Sequence, residues 1–289
     1  MAKAIAPEEQ SRREAARDAY PNNHELAAQS LGIATSTYKS WVARNRPVPV
    51  IPAEAKILFL DIETRPATAY VWGLFDVNVA LNQVIDPGGT LCFGAKWAGQ
   101  SKMIFYSDWQ HGHEEMVKAA HRLFSEADAI VTYNGDRFDI PKLHGEFAMA
   151  ELPPPPPLTS IDVYKSIKKL GLLSNKLAFV GPLFTDEGKM KHEGMELWTN
   201  VLKGCPKAQK KMQLYCSQDV KLLEQVYYRV RPYIKNHPHL ANTGAHQCGA
   251  CGSHRTEAGK PRRTKASFIH QKHCQVCGAW QDDKRVRAA

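Results

Sequence analysis

The sequence lacks any apolar run close to the ~18 residues that a membrane-spanning helix needs. The N-terminal segment also lacks the uninterrupted apolar stretch of a secretory signal peptide, because charged residues recur there at Glu8, Glu9, Arg12, Arg13 and Glu14. These two absences exclude the membrane-spanning and secreted classes. We therefore expect a soluble intracellular protein that binds no membrane.

Cysteine is scarce, with seven residues in 289, and the odd number excludes a disulfide framework in which every cysteine is paired. Four cysteines form two Cys-x-x-Cys pairs near the C-terminus, a pattern that favours metal binding over disulfides in an intracellular protein. The remaining three, Cys92, Cys205 and Cys216, are interpreted as small, buried apolar side chains.

Positive charge is concentrated at the two ends of the chain, whose formal net charge is +9. Residues 236–289 hold nine Lys/Arg against three Asp/Glu, residues 1–50 hold seven against five, and the middle holds twenty-two against twenty-one. Basic ends favour a polyanionic partner, although a solvated surface gives the same composition.

Two boundaries divide the chain. Three prolines between Pro47 and Pro52 predict a semi-rigid linker at 47–55. A helical pattern stops before 236, ahead of the first Cys-x-x-Cys pair. We therefore predict an N-terminal module (1–46), a central domain (56–235) and a basic C-terminal module (236–289), and we find no internal repeat.

In the central domain, the spacing of apolar residues alternates between patterns typical of strands and patterns typical of helices. Apolar runs and period-two patterns predict strands at 56–62, 90–97, 102–107, 129–133 and 158–161. Helical spacing predicts helices at 113–125, 141–151, 163–170 and 208–230. A three-strand meander followed by alternating helices and strands predicts an α/β fold with a mixed sheet flanked by helices.

Two acids lie two residues apart at the end of the first predicted strand, in Leu58-Phe59-Leu60-Asp61-Ile62-Glu63. Residues i and i+2 of a strand point to one face, so Asp61 and Glu63 share a face. Carboxylates are the ligands of hard divalent cations, and two such ions about 4 Å apart support phosphodiester hydrolysis. Acids that end a strand by chance are the alternative.

Two further elements carry acids. The first, Tyr133 to Pro141, contains Asn134 and Asp139, and Asp139 before a helix-opening proline is also an ordinary helix N-cap. The second places Tyr215 and Asp219 four residues apart on one helical face, where a phenol beside a metal-binding acid can orient a water molecule. A half-buried tyrosine on an amphipathic helix is the alternative for that pair.

Together the three elements resemble a known set of motifs. Asp-x-Glu, Asn-x-x-x-Phe-Asp and Tyr-x-x-x-Asp, in this order, resemble the exonuclease motifs of the DEDD superfamily in its tyrosine branch. The resemblance is greatest to the proofreading domain of family B DNA polymerases, which has a ribonuclease H-like fold. It covers roughly residues 56–235 and implies that the chain is a metal-dependent 3′-5′ exonuclease.

The resemblance also implies roles for individual residues. Asp61 would bridge two Mg²⁺ or Mn²⁺ ions, Glu63 and Asp219 would complete the site that holds the nucleophilic water, Asp139 would serve the second ion, and Tyr215 would orient the water.

Roles elsewhere in the central domain are less specific. Asn134 either contacts the terminal nucleotide or satisfies its own turn, and Asp162 is expected to cap the following helix. Lys189, Lys191 and His192 either contact phosphates or form an exposed basic loop.

The C-terminal module contains Cys248, Cys251, Cys274 and Cys277, with 22 residues between the two pairs. Four thiolates at this spacing predict a closed structural zinc site and resemble a zinc ribbon. His246, His254, His270 and His273 are alternative ligands. Basic residues between the pairs, including Arg262 and Arg263, predict a grip on a phosphate backbone.

The N-terminal module resembles a helix-turn-helix. Leu26, Leu31, Ile33 and Trp41 are expected to form its apolar seam, with Gly32 in a left-handed turn. The second helix would then present Thr37 and Lys39 to DNA. A small helical bundle with no role in DNA binding is the alternative.

These features predict a two-metal-ion 3′-5′ exonuclease that acts on nucleic acid, with DNA favoured over RNA. No polymerase module follows the central domain, so we expect a stand-alone enzyme or a separate subunit that serves a DNA polymerase or another replication or repair protein. We expect it in the cytoplasm of a bacterium or of a bacteriophage-infected host. The competing hypothesis is a DNA-binding regulator whose ribonuclease H-like domain is a catalytically silent scaffold.

Overall fold

The computed structural model describes residues 6–20, 23–44, 55–185, 188–234, 237–240 and 247–287. Two compact units are present, Met1–Val48 and Pro49–Ala289. Apart from Ala55, the predicted linker at 47–55 lies outside the described residues, as does position 236, where the second boundary was predicted. No helix in the described part of the chain is long and apolar enough to cross a membrane.

The first unit contains three helices, α1 (Pro7–Ala19), α2 (His24–Leu31) and α3 (Thr35–Arg44). Gly32 ends α2 with a φ of 68°, the left-handed conformation expected of it. The core contains Ala27, Ala28, Tyr38 and Trp41, with Leu31 and Ile33 packed against it.

One residue of the predicted seam is wrong. Leu26 is 46% exposed, because Ala27 and Ala28 take the inward-facing positions of α2. A helix turns by about 100° per residue, so the side chain before this alanine pair points outward.

The second unit is built around a five-stranded mixed sheet in the order β5-β4-β1-β6-β7. Its strands are β1 (Ile57–Arg65), β4 (Gly89–Trp97), β5 (Ile104–Ser107), β6 (Ala129–Thr132) and β7 (Thr159–Asp162). The strands β1, β4 and β5 form the predicted antiparallel meander, whereas β6 and β7 run parallel to β1. The predicted α/β fold with a mixed sheet is confirmed.

A small ribbon interrupts the meander between β1 and β4. Its two short strands are β2 (Thr68–Ala69) and β3 (Val84–Asp86), which pair in antiparallel orientation. These two short strands were not expected from the sequence.

Helices cover both faces of the sheet. They are α4 (Asp108–His111), α5 (His113–Glu126), α6 (Asp139–Met149), α7 (Val163–Ile167), α8 (Leu177–Phe184), α9 (Met195–Leu202) and α10 (Pro206–Val230). Leu58, Leu60 and Ile62 of β1 pack in one core cluster with residues of α5 and α6. Ile57 and Phe59 pack in a second cluster with residues of α8 and α10. Alternation along β1 therefore directs residues 61 and 63 toward the α10 side.

The C-terminal part is a three-stranded antiparallel sheet in the order β10-β9-β8. Its strands are β8 (Thr256–Arg263), β9 (Ser267–Cys274) and β10 (Trp280–Arg287). The four cysteines of the two Cys-x-x-Cys pairs are buried in one cluster beside this sheet. This arrangement is consistent with a zinc ribbon.

Candidate active site

The first two acids lie where β1 passes beneath α10. Asp61 is opposite Gly94 of β4, and a Cβ atom at Gly94 would lie 3.1 Å from Cys216 Sγ and from Val220 Cγ2 of α10. The missing side chain therefore allows α10 to approach the sheet closely. Close packing at Gly94 brings the acidic end of β1 near the residues that α10 carries.

The helix α10 contributes Asp219, whose residue exposure is only 2%, and Tyr215 one turn earlier. One oxygen from each of Asp61, Glu63 and Asp219 lies within 4.8 Å of the others. Residues far apart in the sequence are thus brought into one cluster with the size of a cation site. Within the described residues, Asp139 is outside this 4.8 Å group.

Asp139 is nevertheless adjacent to the cluster. It is buried, and its Oδ1 accepts a hydrogen bond of 3.0 Å from the backbone N–H of Ile62, the residue between the two acids of β1. The N-cap of α6 is Phe138, and Asp139 is the first residue of the helix, so the N-cap alternative for Asp139 is wrong. Its carboxylate is oriented toward β1 instead.

Burial raises the pKa of each acid, and repulsion by neighbouring acids of the cluster raises the pKa of Asp61 and Glu63 further. The pKa of Asp61 is raised well above its ordinary value by burial and then by the charges of Asp139, Glu63 and Asp219. Burial raises the pKa of Glu63 to about 8 and that of Asp139 to about 7. Burial also raises the pKa of Asp219, although Lys189 opposes this shift. A cation among these acids would offset both the cost of burying their charges and the repulsion between them.

Lys189 is itself part of the cluster. Its Nζ lies 2.8 Å from Asp219 Oδ2 and 4.9 Å from the centre of the Tyr215 ring. The alternative that Lys189 belongs to an exposed basic loop is wrong, because only 31% of its side chain is exposed. Lys191, two residues further, is exposed as that alternative expected. Sequence spacing gave no signal for this difference.

Aromatic rings form one wall of the site. The ring of Tyr215 lies 4.8 Å from that of His192 and 6.2 Å from that of Trp198, measured between centroids. Trp198 is held in place because its Nε1 donates a hydrogen bond of 3.0 Å to the backbone oxygen of Thr64. Trp198 was not identified from the sequence, and it lies on a helix, α9, that was also missed.

The cluster fits hard divalent cations. Asp219 Oδ1 is buried and has no hydrogen-bond partner among the described residues, and the surrounding ligand atoms are carboxylate oxygens. Mg²⁺ and Mn²⁺ prefer such oxygen ligands. Asp61, Glu63 and Asp219 could hold an ion directly, and Asp139 is a further buried carboxylate that contacts the backbone between Asp61 and Glu63.

Asn134 and Asp162 form a supporting contact beside Asp139. The backbone of Asn134 is left-handed, with a φ of 70°, and its N–H donates a 2.8 Å hydrogen bond to Asp162 Oδ1. The same oxygen accepts from Tyr164 N, so the predicted helix-capping role of Asp162 is confirmed. This contact fixes the turn before Asp139, whereas the proposed contact of Asn134 with a nucleotide stays a prediction.

The cysteines form a second candidate metal site. The Sγ atoms of Cys248 and Cys277 are 3.6 Å apart, as are those of Cys251 and Cys274. Tetrahedral Zn–S bonds of 2.3 Å place sulfur atoms about 3.8 Å apart, so the geometry fits zinc. His246 lies outside the described residues. His254, His270 and His273 are absent from the four-residue group found in the described chain.

The residues predicted to contact nucleic acid on the flanking modules lie at the surface. Thr37 and Lys39 are exposed on α3, and Arg262 and Arg263 are exposed on β8. Arg262 Nη2 lies 2.9 Å from Asp282 Oδ2, and the Arg263 guanidinium lies 5.1 Å from the centre of the Phe268 ring. Their contacts with nucleic acid stay predictions.

Among solved structures, the chain is similar to the family B DNA polymerase from the hyperthermophilic archaeon Pyrobaculum calidifontis, with a TM-score of 0.47 and 16% sequence identity. The match covers 63% of this chain and 25% of the polymerase chain. No curated protein matches. The model of the RNase_H superfamily matches residues 58–231, which include all four acids, and the chain therefore belongs to the RNase_H superfamily.

Proposed function

We propose that this protein is a two-metal-ion 3′-5′ exonuclease that hydrolyses phosphodiester bonds at the end of a nucleic acid, with DNA favoured over RNA. The observation that carries the proposal is the group formed by Asp61, Glu63 and Asp219, whose oxygens lie within 4.8 Å of one another. Asp139 adds a fourth carboxylate beside them, and like that of Asp219 it is buried. The 3′-5′ direction rests on the resemblance of the three motifs to the tyrosine branch of the DEDD superfamily.

Each of the four acids is assigned a different role in metal binding. Asp61 is central, because the charges of Asp139, Glu63 and Asp219 all act on it, and it would be shared by two ions. Glu63 and Asp219 would hold the ion that activates the attacking water, and Asp139 would serve the second ion. Mg²⁺ or Mn²⁺, when bound, would activate the water and neutralise charge on the attacking and leaving oxygens.

Tyr215 positions the water without taking its proton. Burial, together with the negative charge of Asp219, raises the pKa of its phenol, so the hydroxyl stays protonated at neutral pH. A neutral hydroxyl both donates and accepts a hydrogen bond. Asp219 lies beside it, one helical turn further along α10.

The flanking modules would hold the polymer while the central domain cleaves it. Exposed Thr37 and Lys39 suit contacts to DNA from a helix-turn-helix. Exposed Arg262 and Arg263 suit contacts to phosphates from the zinc ribbon. Under this proposal the natural partner, besides nucleic acid, is a separate DNA polymerase or replication protein.

The test is degradation of labelled strands. Single- and double-stranded DNA and RNA, labelled at the 5′ end, are incubated with the purified chain and Mg²⁺ or Mn²⁺. We expect a ladder that shortens from the 3′ end and that disappears in the Asp61→Ala and Asp219→Ala variants. Persistent DNA binding without cleavage would favour the competing hypothesis, a DNA-binding regulator with a silent ribonuclease H-like scaffold.

A further inference from the structure

A loop of large apolar side chains projects from the sheet between β1 and β4. We call residues 66–88 the aromatic loop. Its Trp72 is 101% exposed, Phe75 is 88% exposed and Tyr70 is 76% exposed, and Leu74 and Leu81 are also largely exposed. Several large apolar side chains exposed within one short segment are typical of an interaction site in a folded protein.

The aromatic loop is held in shape by its own hydrogen bonds. Tyr70 N donates to Gln83 O at 2.9 Å, and the Gln83 side chain accepts from Ala80 N at 2.8 Å and donates to Tyr70 O at 2.9 Å. At its base, Arg65 Nη2 lies 3.6 Å from Asp86 Oδ1. The exposed rings are therefore presented on an ordered support, which lowers the entropic cost of binding a ligand.

A cleft of about 540 Å³ lies within the aromatic loop. Trp72 and Phe75 line it together with the polar side chains of Asp76, Asn78 and Asn82. Aromatic faces stack on nucleobases, and amides and carboxylates can hydrogen-bond to the donors and acceptors on the edges of the bases. The lining thus has the two kinds of group that recognise an unpaired base.

Charge narrows the choice of ligand group. Residues 66–88 contain no Lys, Arg or His, so the loop offers no cation for a phosphate. A surface that bound the nucleic-acid backbone would need such cations. The loop is therefore suited to the uncharged bases, which are accessible on both faces only when the strand is unpaired.

Position connects the loop to the proposed chemistry. The loop starts directly after Arg65, two residues beyond Glu63, and a strand rises by about 3.3 Å per residue. If Asp61, Glu63 and Asp219 hold the end of a nucleic acid, the nucleotides next to that end would thus lie close to the base of the loop.

We propose that the aromatic loop binds unpaired nucleobases next to the cleaved end, which makes single-stranded nucleic acid the substrate. This inference rests on the proposed exonuclease function. Stacking by Trp72 and Phe75 provides the affinity, and the metal site and basic residues elsewhere in the chain hold the phosphates.

The test uses the full chain with Trp72→Ser and Phe75→Ser combined. Binding of fluorescent oligo(dT) is measured in the Asp61→Asn background, which prevents cleavage, at several salt concentrations. We expect binding to weaken by about tenfold or more, since stacking on two rings is lost. The slope of log K against log salt should not change, because no charge is removed. An oligonucleotide that is abasic near its 3′ end should bind both proteins equally.

Met149→Ser is the matched control, because Met149 is a 76% exposed apolar side chain at the end of α6. Equal oligo(dT) affinity with and without the two loop substitutions would overturn the inference. The inference would also be overturned if the loop substitutions lowered the affinity for the abasic strand as much as the affinity for oligo(dT). A concentration-dependent dimer that the loop substitutions abolish, with DNA binding unchanged, would show that the loop is a self-association surface and would also overturn it.

Hydrolysis of bis(4-nitrophenyl) phosphate, a phosphodiester with no base, separates this inference from the proposed function. In the chain with Asp61 intact, the loop substitutions should leave this hydrolysis unchanged while slowing degradation of single-stranded DNA. If the unsubstituted chain hydrolyses neither substrate, the exonuclease proposal fails. If the unsubstituted chain is active and the loop variant degrades single-stranded DNA at the same rate, the loop inference fails while the exonuclease proposal stands.

Discussion

Lys189 Nζ lies 2.8 Å from Asp219 Oδ2, and its ammonium group also faces the ring of Tyr215. The lysine thus places its positive charge beside Asp219, one of the three acids whose oxygens form the candidate cation site. It offsets part of the repulsion among the carboxylates, since its charge lowers the pKa values of Glu63 and Asp61. Lys189 therefore pairs with Asp219 in the metal-free protein, and a divalent cation that binds must compete with it for this carboxylate.

Replacing Lys189 by methionine should make metal binding tighter. The variant Lys189→Met removes the competing charge, so the Mg²⁺ concentration that gives half-maximal thermal stabilisation should fall by about threefold to tenfold. The metal-free variant should be less stable than the unsubstituted protein at neutral pH. Differential scanning fluorimetry over a Mg²⁺ titration measures both effects.

Lys191→Met is the control, because Lys191 is exposed and only two residues away. It should leave the Mg²⁺ titration unchanged. Equal effects of the two substitutions would mean that general surface charge, and not the contact with Asp219, controls metal affinity.

The stability of the metal-free protein should fall as the pH rises. Folding raises the pKa of Glu63 to about 8 and that of Asp139 to about 7, so the folded chain binds more protons than the unfolded chain above their ordinary values near 4. This contribution is complete below about pH 4 and is lost as the pH rises through 7 and 8. The loss should be on the order of a few kcal/mol.

Urea unfolding in Mg²⁺-free buffer between pH 5 and pH 8.5, with zinc retained, measures this dependence. Glu63→Gln is the reference, because it removes one titrating acid, and the stability of the unsubstituted protein relative to it should decrease as the pH rises. Parallel profiles for the two proteins would contradict the raised pKa of Glu63. Added Mg²⁺ should stabilise the protein most at high pH, where the acids are ionised.

Loss of one of the four clustered cysteines near the C-terminus should release zinc and unfold the C-terminal sheet. Cys251→Ser removes one of four clustered ligands, and structural zinc contributes directly to folding. We expect zinc content to fall from one ion per chain toward zero, with rapid hydrogen exchange across 247–287. Cys205→Ser is the control and should retain the ion, since Cys205 lies outside the cluster. Full zinc retention in Cys251→Ser would contradict the four-thiolate site.

The turn before Asp139 should not accept a side chain at Gly135. A Cβ atom there would lie 2.3 Å from Thr132 Oγ1 and 2.4 Å from Thr132 Cβ. Gly135→Ala should therefore destabilise the fold by roughly 1–3 kcal/mol and lower activity by displacing Asp139. Gly145→Ala, in α6 with nothing within 4 Å of the added atom, should stabilise it by roughly 0.5–1 kcal/mol. Chemical denaturation compares the two, and equal stabilities would show that the turn relaxes freely.

Periodicity made much of the central domain predictable. The strand that carries Asp61 and Glu63 and the helix that carries Asp219 were both expected within two or three residues of their observed bounds. Long apolar patterns of this kind report burial directly. The motif order then linked acids separated by more than a hundred residues, which periodicity alone cannot do.

Other features had no local signal. The helices α8 and α9 were missed, and α8 contains Pro182, which weakens a helical pattern. The contact of Lys189 with Asp219 and that of Trp198 with Thr64 depend on how distant segments pack. Leu26 was expected inside because it is apolar, yet the smaller Ala27 and Ala28 fill the inward positions of α2.

The four acids of the central domain are proposed to bind two metal ions, and the number of bound ions can be counted. Electron paramagnetic resonance of Mn²⁺ titrated into the zinc-loaded protein reports the number of bound ions. We expect two Mn²⁺ ions per chain, with binding lost or reduced to one ion in both Asp61→Asn and Asp219→Asn. Absence of Mn²⁺ binding in the unsubstituted protein, or equal binding in all three proteins, would contradict the proposal.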